Sequence, residues 1–366
     1  MRKGLLDSGM RRACWLLVAA SQEEGGAGLR CRGCGMHGIG LEEKVLAEAR
    51  GFLQSRVILT AAALDLFTNL HEKPATAGEL ATRLGLQARA TTRVLDCLVS
   101  FDFLEKRRGR YHATASGQLL SSRHAETILP MVLHLNSLWQ SWSGLTETVR
   151  SGRNPRQSVI SERDAESLRA FIGAMHVVGR SLAAEIASSY ETERFSRLLD
   201  IGGGSGTYTI ALLRKNPRMK AVLFDLKRVI PMARARLKAE GLLRRVTLVT
   251  GDFYREELPS GCDLALLSAI IHQNSQAENL ALFRKVHRAL EPGGAVLIRD
   301  HIMDASRTTP PAGAVFALNM LVNTDGGDTY TFPEVKKGLE RAGFVEVRLA
   351  RTGERMDCLV EGRKPG

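Results

Sequence analysis

An apolar run, Arg197-Leu198-Leu199-Asp200-Ile201, leads into Gly202-Gly203-Gly204-Ser205-Gly206, and a helical pattern follows over residues 207–214. A strand that enters a glycine-rich turn and leaves as a helix is the opening unit of a doubly wound α/β sheet. Glycine lets the backbone turn tightly and come close to a ligand. Here the glycines fall as G-x-G-x-G at positions 202, 204 and 206. The dinucleotide form needs a glycine at 207, where a threonine stands, so the spacing disfavours a nicotinamide cofactor.

The next elements extend the same pattern. Residues 221–225 read as a second strand ending in Asp225, whose carboxylate can accept two hydrogen bonds from a ribose diol. Residues 246–253 read as a third strand ending Gly251-Asp252-Phe253, with Asp252 suited to an exocyclic adenine amine and Phe253 to packing beside the ring. A fourth strand is expected over 263–271, ending at His272, and a fifth over 295–299, ending at Asp300. Residues 346–350 and 356–361 form a closing hairpin. Ligands of such sheets bind beyond the carboxyl ends of the strands, where Gly202, Asp225, Asp252, His272 and Asp300 gather.

The half upstream of this sheet is helical. Val45, Leu46, Ala49, Phe52 and Leu53 recur at three- and four-residue steps, and a second helix is expected over 59–70. Thr76-Ala77-Gly78-Glu79 has the form of a capping box, and Gly85 closes the helix it opens. A helix over 88–100, with Val94, Leu95 and Leu98 inward, precedes a short hairpin around Phe103–Thr114. This is the winged-helix layout. Arg89 and Arg93 could face a DNA groove, but the helix holds no Asn or Gln and Asp96 repels phosphate, so a packing and dimerisation role is preferred. Residues 124–190 are helical again, with Trp139, Trp142, Phe171 and Met175 on apolar faces, as core or as a pocket lining.

Composition narrows the functions. At 44% hydrophobic and 25% charged residues, the chain is globular rather than disordered. The longest apolar run, residues 13–20, falls short of the ~20 residues a spanning helix needs, so no membrane role is expected. The net charge of +12 is spread thinly, its longest cluster being Lys106-Arg107-Arg108-Gly109-Arg110, and no nucleic-acid partner is expected. Six scattered cysteines are no disulfide framework and fit a cytoplasmic protein. Residues 1–40 read as a disordered extension or an over-long start rather than a leader. Cys31, Cys34 and His37 are half of a zinc site without a second pair, so no metal is expected.

From residue 41 onward, the order LLDIGGGSG, FDL, GDF, a strand ending in histidine and EPGG resembles the S-adenosylmethionine-dependent small-molecule O-methyltransferases. These include plant caffeate and hydroxyindole enzymes and bacterial polyketide tailoring enzymes. The resemblance implies an α/β, Rossmann-like class I methyltransferase domain over 191–366, an all-helical winged-helix dimerisation domain over 41–120, and a helical linker over 121–190 contributing to the substrate pocket. It implies a homodimer acting on a hydroxylated, aromatic or polyketide-like small molecule. Gly202 and Gly204 would approach the methionyl part of the cofactor, Asp225 would hold its ribose with Leu226 beside the adenine, and Asp252 and Phe253 would address the adenine. Asp200 and Ser268 complete the expected cofactor side. His272 matches the family's catalytic base and Asp300 an acid that flanks it. Met175 matches a methionine that packs on the acceptor; His176, Asn319, Met320 and Asn323 are expected beside it.

The chain departs from the family in reading His272-Gln273-Asn274-Ser275-Gln276 where His-Asp-Trp-Ser-Asp is often found. Ser268 stands where a lysine is often seen, and a second flanking glutamate falls near Thr329, with Asp328 adjacent. Other chemistries on the scaffold, N- or C-methylation or a non-methyl reaction, stay open at this point. So does a winged-helix regulator that senses the cofactor.

Overall fold

The computed structural model describes residues 40–154 and 164–366. The expectations for residues 1–39, including the extension and the Cys31, Cys34 and His37 group, lie outside the described residues. Residues 52–366 form one compact unit; of the unit before it, only the first turns of the helix Leu41–Ala63 are described.

The stripe read from Val45, Leu46, Phe52 and Leu53 is exposed. The single helix expected over 59–70 is two pieces. Leu41–Ala63 ends, Asp65 turns left-handed at φ 54°, and Leu66–Leu70 begins after it. Aspartate tolerates that conformation better than most residues, which is why periodicity alone hides the break. The Thr76 capping box is present: its hydroxyl accepts from the Glu79 N–H at 3.2 Å, and the Glu79 carboxylate accepts from the Thr76 N–H at 2.8 Å. Helix Ala88–Ser100 buries Leu95 and Leu98 against the hairpin of β1 (Leu104–Arg107) and β2 (Arg110–Ala113). Its Asp96 accepts from Lys106 Nζ at 2.8 Å and from the Tyr111 hydroxyl at 2.7 Å. That acid is committed to holding the hairpin, as a packing module requires.

The remaining strands are β3 (Arg197–Ile201), β4 (Lys220–Asp225), β5 (Val246–Thr250), β6 (Cys262–Ser268), β7 (Leu290–Asp300), β8 (Ile302–Met303), β9 (Tyr330–Thr331), β10 (Val345–Arg351) and β11 (Cys358–Arg363). Seven form one sheet in the order β10-β11-β7-β6-β3-β4-β5. Strands β3 to β7 are parallel, and β11 and β10 add antiparallel at one edge. The runs of Leu, Val, Ile and Ala in β3, β4, β6 and β7 are buried on both faces, as parallel strands covered by helices are, while the edge strand β5 is only partly buried. Helices Gln276–Ala289 and Phe332–Arg341 cover one face; Ala165–Ser189 and Thr207–Lys215 cover the other. Helix Ala165–Ser189 is long and apolar enough to cross a membrane by composition, and here its buried face packs in the core with Thr207–Lys215.

The chain runs outward from β3 through β4 to β5, then returns to β6 on the other side of β3. That reversal opens a crevice at the strand ends.

Candidate active site

The fourth strand ends earlier than expected. It stops at Ser268 rather than running to 271, because Ala269 takes a left-handed conformation at φ 58° with its N–H donating to the Arg299 carbonyl at 2.8 Å. The chain then makes a single 3-10 turn, Ile271–Gln273, and His272 rides on it. A non-glycine residue held at positive φ stores strain and redirects the chain after it.

That turn brings His272 to Asp300 at the end of β7. The imidazole Nδ1 lies 2.9 Å and 3.0 Å from the two Asp300 oxygens. Asp300 also accepts from the His301 N–H at 2.8 Å. Burial pushes the Asp300 carboxyl up, but the His272 imidazole, the His301 N–H and the Arg299 charge outweigh it and hold the group below its ordinary range. A carboxylate at Asp300 can accept the Nδ1 proton and so orient the imidazole. The ring of Phe316 meets the imidazole edge-on at 4.8 Å. No sequence signal marks Phe316, although it sits four residues before Met320 on the same helix.

The 3-10 turn is itself tied down. Asn274 is fully buried; its side chain accepts from the Tyr254 hydroxyl at 2.5 Å and donates to Asn279 Oδ1 at 3.0 Å. Asn279 donates to the Ile271 carbonyl at 2.8 Å, and the Tyr330 hydroxyl donates to the Asn274 carbonyl. Asp328 faces elsewhere: its N–H donates to the His272 carbonyl at 2.9 Å, while Arg307 pairs with its carboxylate at 3.4 Å.

On the cofactor side the glycine turn is bare for steric reasons. Gly202 stands at φ 68°, and a Cβ there would lie 2.7 Å from Ile270 Cδ1. Asp225, at the end of β4, accepts from the Gly204 N–H and the Leu226 N–H, both at 2.7 Å. Burial raises its carboxyl to about 6 against those two bonds. Asp200 lies beneath the turn, fully buried, accepting from the Thr209 hydroxyl at 2.5 Å. Burial pushes it to about 6 as well, with the Asp225 charge adding to the rise. Asp200 braces the turn from below. Phe253 packs against Tyr254 with ring centres 4.5 Å apart, and Lys285 holds this loop by donating to the carbonyls of Phe253, Tyr254 and Glu256. Asp252 accepts from the Tyr254 N–H at 2.9 Å. The third strand ends at Thr250, so Asp252 and Phe253 stand on this loop.

Asn319 accepts from Trp142 Nε1 at 2.9 Å and from Asn323 Nδ2 at 3.0 Å, which joins helix Pro311–Asn323 to Leu129–Trp142. Met320 is buried on the same helix and Met175 is half-buried on Ala165–Ser189. His176, also expected beside the acceptor, makes two hydrogen bonds. Its Nδ1 meets the Thr207 hydroxyl at 2.9 Å and its Nε2 accepts from Arg236 Nη1 at 2.7 Å. One ring nitrogen meets the helix that leaves the glycine turn and the other meets helix Ile230–Ala239, on a different face from Met175 because a helix places consecutive residues on different faces. Burial, with Arg236 and Arg180 nearby, lowers His176 to about 4. His287, on helix Gln276–Ala289, is half-buried with its ring edge-on to Phe344 at 5.0 Å.

A glycine turn, the strand-end carboxylate of Asp225 and a His–Asp pair at a switch-point crevice suit a group transferase that draws on a nucleoside donor. The O-methyltransferase domain model matches residues 142–345, and the O-methyltransferase dimerisation domain model matches residues 47–123. The chain belongs to the O-methyltransferase family, and it is an S-adenosylmethionine-dependent enzyme. It is similar to the tetracenomycin polyketide synthesis 8-O-methyl transferase TcmO of Streptomyces glaucescens, at 33% identity over 88% of this chain and 96% of that one. It is also similar to acetylserotonin O-methyltransferase of Gallus gallus, at 29% identity over 86% of this chain and 95% of that one. Among solved structures, PigF with SAH matches at a TM-score of 0.81 and 25% identity, covering 88% of this chain and 99% of that chain.

Proposed function

We propose that this enzyme methylates a hydroxyl group of an aromatic, polyketide-like small molecule, with His272 as the general base and Asp300 as its orienting partner. The observation that carries this reading is the contact of His272 Nδ1 with both Asp300 oxygens. The contact supports a proton on Nδ1 shared with Asp300, with Nε2 free to accept one from the substrate.

The residues of the crevice fit the donor. Gly202 and Gly204 leave room for its methionyl part, Asp225 can accept from its ribose diol, and Leu226 and Phe253 flank the adenine position. When bound, S-adenosylmethionine supplies a methyl group already made electrophilic by its sulfonium. A phenol, with a pKa near ~10, is mostly protonated at neutral pH. His272 Nε2 takes that proton as the oxygen attacks, and Asp300 stabilises the imidazolium that results. Such help is typically worth ~10²–10⁴ in rate. Phe316 holds the imidazole plane, and Met175, Met320, Asn319 and Asn323 shape the acceptor side.

The names of TcmO and the acetylserotonin enzyme support a hydroxylated polycyclic or indolic acceptor. The exposed stripe of Val45, Leu46, Phe52 and Leu53, inside or beside the matched dimerisation segment, supports a homodimer. The free thiols of Cys97, Cys262 and Cys358 agree with a cytoplasmic setting.

The test is incubation with methyl-labelled S-adenosylmethionine and a panel of phenols, amines and carboxylic acids, read by mass spectrometry. Label should enter phenolic oxygens and fall at least ~100-fold in His272→Ala. Label confined to amines overturns the O-acceptor, and full turnover by His272→Ala overturns the base.

A further inference from the structure

Arg299 lies on β7 beside Ser268 of β6, its register partner at the carboxyl end of the sheet. It is only 4% exposed. Its Nη1 donates to the Ser268 hydroxyl at 3.3 Å, and its guanidinium lies 5.0 Å from the centre of the Tyr208 ring. Its Nε is buried without a hydrogen-bond partner, and so is the Tyr208 hydroxyl. No carboxylate among the described residues forms an ion pair with it. The adjacent Asp300 directs its oxygens to the His272 imidazole and the His301 N–H.

A buried guanidinium whose neighbouring carboxylate, Asp300, is turned to other partners is unfavourable, and an unpaired buried donor adds to the cost. Stacking on the Tyr208 ring offsets only part of it. Such an arrangement persists where something anionic completes it. The planar guanidinium fork suits a carboxylate, which it can hold through two parallel bonds.

We propose that Arg299, with Ser268 and the Tyr208 hydroxyl, binds a ligand carboxylate at the end of β6 and β7. The location favours the carboxylate of the donor's amino-acid tail. Ile270, two residues past Ser268, lies against Gly202, so this strand end borders the glycine turn. Tyr208 belongs to the helix that leaves the turn. The cluster therefore lies where the donor's methionyl part meets the sheet, on the same strand end as the chain leading to His272. A carboxylate on the acceptor is the other source of the same chemistry.

The experiment is calorimetry on the full chain with two probes that differ in the tail. S-adenosylhomocysteine carries the carboxylate, and 5′-methylthioadenosine keeps the nucleoside and sulfur without it. Arg299→Met should weaken S-adenosylhomocysteine about tenfold or more and leave 5′-methylthioadenosine within about twofold. Arg299→Lys should recover part of the loss. The ligand-free Arg299→Met protein should melt at a higher temperature, since an unpaired buried charge is gone; a purely structural arginine gives the opposite shift. A second arm compares turnover of 3,4-dihydroxybenzoate with catechol. Selective loss of the acid there, with S-adenosylhomocysteine unchanged, keeps the carboxylate site and assigns it to the acceptor. Equal weakening of both nucleosides, or no loss for either anion, overturns the proposal.

Discussion

Asn274 and Asn279, five residues apart, are joined side chain to side chain at 3.0 Å, and Asn279 passes the link back to the Ile271 carbonyl. The pair closes a loop around the 3-10 turn that carries His272. Tyr254, beside the proposed adenine wall, enters the same network through its hydroxyl. A buried polar network of this kind rigidifies when fully satisfied.

Tyr254→Phe, which removes only one hydroxyl, should therefore lower kcat about three- to tenfold while leaving the S-adenosylhomocysteine dissociation constant within about twofold. Asn274→Ala should lower kcat further and make the His272 nitrogen resonances average between tautomers. A 15N spectrum of histidine-labelled protein reads this directly. An unchanged tautomer in Asn274→Ala sinks the positioning role.

Asp225 should make cofactor affinity depend on pH. Its carboxyl is raised to about 6 in the ligand-free protein. A ribose diol donates hydrogen bonds and so prefers the ionised form. Affinity for S-adenosylhomocysteine should be full above about pH 6 and fall up to about tenfold per unit below it. The sign for ligand-free stability is the reverse. A carboxyl raised on folding binds protons better folded than unfolded, so its penalty fades as pH falls through about 6. Calorimetry at pH 5 and 7.5 checks the first statement, with Asp225→Asn as the variant that should lose the dependence.

His176→Ala should weaken S-adenosylhomocysteine about three- to tenfold, because it unties Thr207 from Arg236 beside the glycine turn. The acceptor KM should stay where it is. A raised acceptor KM with unchanged nucleoside binding returns His176 to the acceptor side. The low value of about 4 means that the histidine is neutral across the working range, so this effect carries no pH dependence near neutrality.

Glu361 on β11 is 1% exposed and pairs with Arg194 at 2.6 Å and Arg348 at 2.7 Å. Glu361→Gln should cost about 1–3 kcal/mol, less than a fully buried pair, because both guanidiniums keep some water. Urea unfolding measures it, and catalysis per folded molecule should not change.

Much of this molecule was written locally. The glycine run, the Thr76 capping box, the strand-end Asp225 and the order of the five parallel strands each arise from contiguous residues, because steric freedom at glycine, capping geometry and buried apolar runs act over a few positions. His272 and Asp300 could be named from the ends of two apolar runs. What no local pattern carried was where side chains separated by many residues come to rest. The Ala269 turn ends β6 early through a bond to the Arg299 carbonyl on the neighbouring strand. His176 bonds to Thr207 and Arg236, which arrive from two other helices. Phe316, Asn274 and Arg299 look like ordinary core or loop residues in the chain. Packing alone set Phe316 against an imidazole, closed a hydrogen-bonded ring around Asn274, and left the Arg299 Nε buried without a hydrogen-bond partner. Those outcomes depend on which elements the sheet's reversal brings together, and one stretch of chain contains no record of its distant neighbours.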